Sequence, residues 1–343
     1  MSELDLHYRS EQEPGKRQKY QNWATAKGLQ QVDGLTTSSY LDKVAEDHIE
    51  GRITSTQAIG LIDSYYETAG DRAAAGEHWE ADKVSARINA LIGESAFTLT
   101  PEELRNIHER LFEGVFDHAG QFRTHNFIKR EWVLDGDSVT YGDYRSIGDN
   151  LERFVRRERL LRYGSMDSDE AIGHLAQFVA DIWQVHPFSE GNTRSVAVFA
   201  IKYFRSLGFD TDNTAFSEHS WYFRNALVRA NYTSVRKKAD ANRTFLEDFL
   251  ASVLLGKQKE FRNRDLHIYA DNLAVRDSLS GESLDKAIQR LVEADPHITR
   301  QEMAAKCSTS VKTIERHLKT LGIVFEGPAK TGHWKKQSPP AEN

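Results

Sequence analysis

His186-Pro187-Phe188-Ser189-Glu190-Gly191-Asn192-Thr193-Arg194 separates two strongly apolar helical stretches, and the reading of this run organises the rest of the chain. Before it, Ile172, Leu175, Phe178, Val179, Ile182 and Trp183 recur at the spacing of one helix face. After it, Val196 to Leu207 is apolar again and closes at Gly208. Gly191, Asn192 and Thr193 are poor inside a helix but suited to its start, where several backbone N–H groups lack partners. Those amides and the positive end of the helix dipole favour an anion, and Arg194 can fork two hydrogen bonds onto phosphate oxygens. Glu190, at the mouth of the same turn, suits a Mg²⁺ ion bridging such phosphates. His186 precedes it by one helical turn and can take a proton from an attacking hydroxyl. Each residue alone is more often structural: a capped histidine, a surface carboxylate, a loop Gly-Asn pair. Their contiguity makes base, metal ligand and anion cradle one constellation, and that constellation points to nucleotide transfer.

Outward from the run, 343 residues with 39% hydrophobic content suffice for one sizeable core and a smaller second domain. Residues 1–35 are polar and lack periodicity, so they are expected to be loosely ordered. Helical periods follow in residues 36–95 as a hairpin broken at Gly51, then through Pro101 to Phe112, Tyr144 to Arg162 and Phe245 to Leu255. Thr100 before Pro101, Glu102 and Glu103 marks a helix start. Between the helices, Gln121 to Tyr141 has β-branched and aromatic residues around Asp135-Gly136-Asp137, which reads as an inserted β-hairpin. The main domain is placed at residues 96–260 and a linker at 261–282. Residues 283–337 read as three helices and two short strands, the order of a winged helix-turn-helix. Lys312, Thr313, Arg316 and Lys319 fall on the outer side of its last helix, and Lys330, Lys335 and Lys336 in its wing, where DNA is a candidate partner and a protein an alternative.

A net charge of −6 argues against coating nucleic acid or membrane by bulk charge. Cys307 is the only cysteine, so no intrachain disulfide or thiolate zinc cluster forms, and no HExxH spacing occurs. No apolar stretch reaches the ~18 residues of a membrane span, and the N-terminus lacks the apolar core of a signal peptide. A cytoplasmic protein without membrane contact is expected.

The run from His186 to Arg194 resembles the signature of the Fic family, HPFx[D/E]GN followed by a small residue and Arg. The likeness extends from about Tyr40 to Leu255, through EELRNIHERLFEGVFDHAGQFRTHN and through His174 and Phe178 in the preceding helix. It implies a mainly α fold, a Fic-type helical bundle with a β-hairpin flap. It also implies transfer of AMP from ATP to a Ser, Thr or Tyr hydroxyl of another protein, and of the chain itself. Carried over, His186 is the base and Glu190 the Mg²⁺ ligand, while Asn192 and Arg194 grip phosphates beside the backbone of Gly191 and Thr193. The flap residues Arg123, Thr124, His125 and Asn126 dock the target by strand addition, and Tyr222 and Asn225 are candidates for a base pocket, although helical core packing is the commoner role for such aromatics. Two departures stand out: Thr193 where the family commonly has Gly, and Ala197 where it has a second Arg. The nearest thing to the family's inhibitory pattern is Glu46-Asp47-His48-Ile49-Glu50-Gly51, which makes Glu50 a candidate restraint on the γ-phosphate site or a plain helix end. Donors of UMP, phosphocholine or phosphate stay open, as do a nucleotide-sensing transcription regulator and a homo-oligomer.

Overall fold

The motif helix is central: in α8 (Asn192–Ser206) every residue from Asn192 to Phe204 is buried, the charged Arg194 and Lys202 included. In this computed structural model, residues 14–68, 78–209, 214–270, 284–307, 309–327 and 333–336 are described. They fall into two units, one of residues 1–128 and 139–261, the other of 129–138 and 262–343.

In the first unit α8 is flanked by α5 (Pro101–Phe112) and α7 (Ser168–Val185). Both neighbours begin on capped ends: Thr100 Oγ1 accepts from the Glu103 amide at 3.0 Å, and Asp167 accepts from that of Glu170 at 2.8 Å. The unit is completed by α4 (Trp79–Gly93), α6 (Ile147–Arg159), α9 (Thr214–Ala230), α10 (Thr244–Leu255) and the hairpin of α2 (Ser39–Ile49) and α3 (Ser55–Thr68).

The expected loose order of residues 1–35 is corrected from residue 14 onward, residues 1–13 lying outside the described residues. Lys16–Gln30 is a helix, α1, packed on α4 and α9. Its buried face joins Trp23, Ala26 and Leu29 to the polar Asn22, Thr25 and Gln30, and this mixture hid the apolar period. The crossing with α9 is tight: a Cβ on Gly28 would lie 2.3 Å from the Ser217 carbonyl oxygen.

Residues 121–141 carry no regular strand. The limbs are extended, and at the tip a short 3₁₀ turn, Trp132–Leu134, precedes Asp135 and Gly136, both in the left-handed region. Glu131 donates its amide to the Asp137 carbonyl at 2.8 Å, which closes the tip. Val133 and Leu134 are adjacent and both fully buried, a pattern that two-residue alternation along a strand cannot bury on one face.

In the second unit, the tip's Val133 carbonyl accepts from the Ile268 amide at 2.9 Å. Further on, α11 (Leu284–Ala294), α12 (Arg300–Lys306) and α13 (Val311–Thr320) precede an antiparallel pair, β1 (Ile323–Glu326) and β2 (His333–Lys336). Thr299 and Glu302 cap α12 reciprocally, each side chain accepting from the other's amide. Ile288, Ile298, Met303, Ile314, Leu318 and Trp334 form the core there. The linker from 271 on and Lys330 lie outside the described residues. Among the described residues no helix is long and apolar enough to cross a membrane.

Candidate active site

His186 terminates α7 in the left-handed region, φ 49° and ψ 59°, a conformation that costs a non-glycine residue about 1–2 kcal/mol. Its amide donates to the Trp183 carbonyl at 3.0 Å, and its Nδ1 lies 3.2 Å from the same oxygen. A carbonyl only accepts, so Nδ1 carries the proton and Nε2 is the basic nitrogen. The ring stacks on Tyr141 at 4.0 Å and meets Trp183 edge-on at 5.1 Å.

The group that holds this strained turn is Arg123. Its Nε donates to the His186 carbonyl at 2.7 Å, and its other nitrogens to the carbonyls of Val185, Gly142 and His125 and to Asn126 Oδ1. A cation among the last carbonyls of α7 also opposes the negative end of the helix dipole. Arg123 is 4% exposed, so the structure moves it from the expected target-docking surface to the support of the base. Asn126 is likewise a brace, accepting from Arg123 and from the Tyr144 amide. Thr124 and His125 are exposed on the flap, and Ile128 beside them is 81% exposed.

After His186 the chain is pinned from two sides. Phe188 is fully buried against His108, with ring centroids 3.7 Å apart. Burial pushes the His108 pKa down to about 3, so the ring stays neutral at ordinary pH. Its Nδ1 accepts from the Gly120 amide at 2.9 Å, which leaves Nε2–H to donate to the Glu190 carbonyl at 3.1 Å. Gly191 follows with φ 71°, and a Cβ there would lie 2.4 Å from the Phe112 ring, so both conformation and space require glycine.

Asn192 does not reach outward as a phosphate grip. Its carboxamide is spent at both ends on Phe188, donating to the carbonyl at 2.7 Å and accepting from the amide at 3.0 Å. The cradle is instead made of backbone. Ser195 is the first residue whose amide enters the α8 ladder, onto the Gly191 carbonyl at 3.0 Å. The amides of Asn192, Thr193 and Arg194 precede it, an anion-binding end by charge and geometry. Thr193 Oγ1 accepts from Trp183 Nε1 at 3.0 Å.

Arg194 is 2% exposed and occupied. Its Nη atoms donate to Glu80 Oε1 at 2.7 Å and Gln30 Oε1 at 3.1 Å, and its Nε lies 2.8 Å from Asp33 Oδ2, off the N–H line, an ion pair. The Phe112 ring lies under the guanidinium at 4.8 Å. Glu50 is not at this site: it is exposed and pairs with Lys16 at 2.7 Å, which lowers its pKa. The restraint assigned to Glu50 therefore has no geometric basis here, and the carboxylates that reach Arg194 are Asp33 and Glu80. For Arg194 to grip nucleotide phosphates, as the resemblance implies, the phosphates would have to displace these charges; on that reading, exchanging both for amides, Asp33→Asn with Glu80→Gln, is expected to tighten binding of Mg-bound ATP by about tenfold. Calorimetric titration checks this, and unchanged or weaker affinity would assign Arg194 to the core alone.

Tyr222 and Asn225, expected near a base pocket, are 4% and 1% exposed. The Tyr222 ring packs on Phe261 at 4.7 Å within the α9–α10 aromatic cluster, and in this conformation neither residue offers a face to a base. Glu190 is exposed at the mouth of the cradle, and its carboxylate has no partner among the described residues. One free carboxylate beside a phosphate cradle fits Mg²⁺, which is usually held by few protein ligands together with substrate phosphates. No group of three or more His, Cys, Asp or Glu side chains able to hold a metal occurs among the described residues.

Residues 98–204 match the model of the Fic/DOC family. The chain is 25% identical over 171 residues to the protein adenylyltransferase VbhT of Bartonella schoenbuchensis, covering 46% of this chain and 34% of that protein. It is 30% identical over 130 residues to a probable protein adenylyltransferase, y4lH, of Sinorhizobium fredii, covering 37% of this chain and 62% of that one. The chain thus spans less than two thirds of the length of either relative. A Fic family protein structure from Desulfovibrio desulfuricans gives a loose likeness, with TM-score 0.45 and 13% identity over 95% of this chain and 89% of that one.

Proposed function

We propose that the chain is a protein adenylyltransferase that moves AMP from ATP to a Ser, Thr or Tyr hydroxyl of a target protein, itself included. The observation that carries this is the placement of His186 Nε2, the basic nitrogen, one short turn before the open amides of α8. The target hydroxyl gives its proton to Nε2 as its oxygen bonds to the α-phosphorus, and the bond to the bridging oxygen breaks to release pyrophosphate. The amides of residues 192–194 hold phosphate oxygens, and Arg123 and Tyr141 keep the imidazole in register. Glu190 would hold Mg²⁺, which when bound would neutralise phosphate charge. Thr124, His125 and Ile128 are the flap residues exposed to a docking target. A cytoplasmic location goes with ATP as the proposed donor.

Intact-mass spectrometry of the full chain after incubation with Mg-bound ATP tests the reading. A gain of one adenylyl group is expected. A gain of one phosphoryl group instead would make the domain a kinase, and bound nucleotide with no mass change would favour a nucleotide sensor.

A second role goes with residues 283–337, which hold ten basic against six acidic residues in a chain whose net charge is −6. Lys312, Arg316 and Lys319 are exposed on α13, opposite the buried Ile314 and Leu318. That segregation, with the helix order of a winged helix, favours DNA over protein as partner. A gel shift at low salt that weakens as salt rises is expected, and no shift at low salt would remove the DNA role.

A further inference from the structure

We propose that Trp183 is a positioning residue that couples the base to the phosphate cradle, and that the Thr193 hydroxyl it holds donates a hydrogen bond to a phosphate oxygen of the bound nucleotide. The proposal rests on the transferase reading and names a further binding group in that same site.

Thr193 stands where the family signature commonly has glycine, so the side chain calls for an account of its own. An indole N–H only donates, so in the 3.0 Å contact between Trp183 Nε1 and Thr193 Oγ1 the hydroxyl is the acceptor. Its own proton must then point elsewhere. None of the described residues accepts it, although Thr193 is 7% exposed and Trp183 1%. The hydroxyl stands on the second residue of α8, beside the three amides that precede the helix ladder. It therefore adds a side-chain donor to a backbone cradle, and its direction is set by the indole.

Trp183 also meets the base. Its carbonyl receives the His186 amide and lies 3.2 Å from His186 Nδ1, and its ring contacts the imidazole edge-on. One side chain thus touches the proton acceptor and a phosphate donor at once, and a shift of the indole displaces both. A glycine at position 193 would leave that buried N–H without its acceptor, as costly as losing a hydrogen bond. The pair Trp183 and Thr193 is one unit.

The test is calorimetric titration of the full chain with a Mg-bound, non-hydrolysable imido analogue of ATP. The variants are Thr193→Val, Thr193→Ser, Trp183→Phe and the double variant Trp183→Phe with Thr193→Val. Thr193→Val is expected to weaken binding about tenfold, the usual effect of one hydrogen bond to a charged group. Thr193→Ser should bind within about twofold of wild type, a rescue that a purely structural role of the threonine methyl would not give. Trp183→Phe should weaken binding, and the double variant should be no weaker than Thr193→Val alone. Wild-type affinity in Thr193→Val would remove the donor, and additive losses in the double variant would remove the coupling. Wild-type protein that binds no nucleotide would overturn the transferase reading and this inference with it. Normal wild-type binding matched by all four variants would overturn this inference alone.

Discussion

His186→Asn is expected to lower the proposed AMP transfer by about 10²–10⁴-fold, the range a general base contributes, with nucleotide affinity nearly unchanged. Asparagine is the informative substitution because it tolerates the left-handed backbone that His186 adopts at φ 49°, so the turn into Pro187 survives while the basic nitrogen is lost. His186→Ala removes the base and strains the turn together, and its thermal stability should fall below that of the asparagine variant. Transfer is read by intact mass over time, and affinity by titration. An asparagine variant that still transfers within about threefold of wild type would show that the hydroxyl loses its proton elsewhere.

The second large effect is at Arg123. Arg123→Leu leaves four carbonyls and one carboxamide oxygen around an apolar side chain and is expected to destabilise the first unit by about 3–5 kcal/mol in denaturant unfolding. Arg123→Lys separates charge from geometry. It keeps the cation, but its three donors radiate from one nitrogen and cannot span carbonyls on both sides of the planar fork. Transfer should fall about 100-fold as the imidazole loses its orientation, with a much smaller loss of stability than in the leucine variant. A lysine variant as active as wild type would reduce Arg123 to a source of positive charge.

The grouping of His186, the exposed Glu190 and the open amides that begin α8 was legible in the sequence because the residues are consecutive, and a contiguous run carries its own geometry. The Thr100 cap and the apolar faces of α5, α7 and α8 were legible for the same local reason. What escaped was whatever depends on residues distant in sequence. Asp33 and Glu80 look like ordinary surface acids until α1 and α4 bring them to Arg194. His108 left a faint signal, a histidine on the apolar face of α5, but not its hydrogen bond to Glu190. Arg123 was placed on the docking flap by the resemblance alone, and nothing local in the sequence shows that carbonyl oxygens surround its guanidinium, where the usual exposure of charge fails. α1 was missed because its buried face includes polar side chains, Gln30 among them, whose partners come from elsewhere in the fold.

The partners of Arg194 also set the size of the smallest piece that can work. The stretch that matches the family model, residues 98–204, contains the motif but omits Gln30, Asp33 and Glu80. Excised to those limits, the protein would carry a bare guanidinium facing the vacated bed of α1 and α4. The recognisable signature is therefore shorter than the cooperative unit, and a truncation series should find its edge before Lys16, not before Phe97.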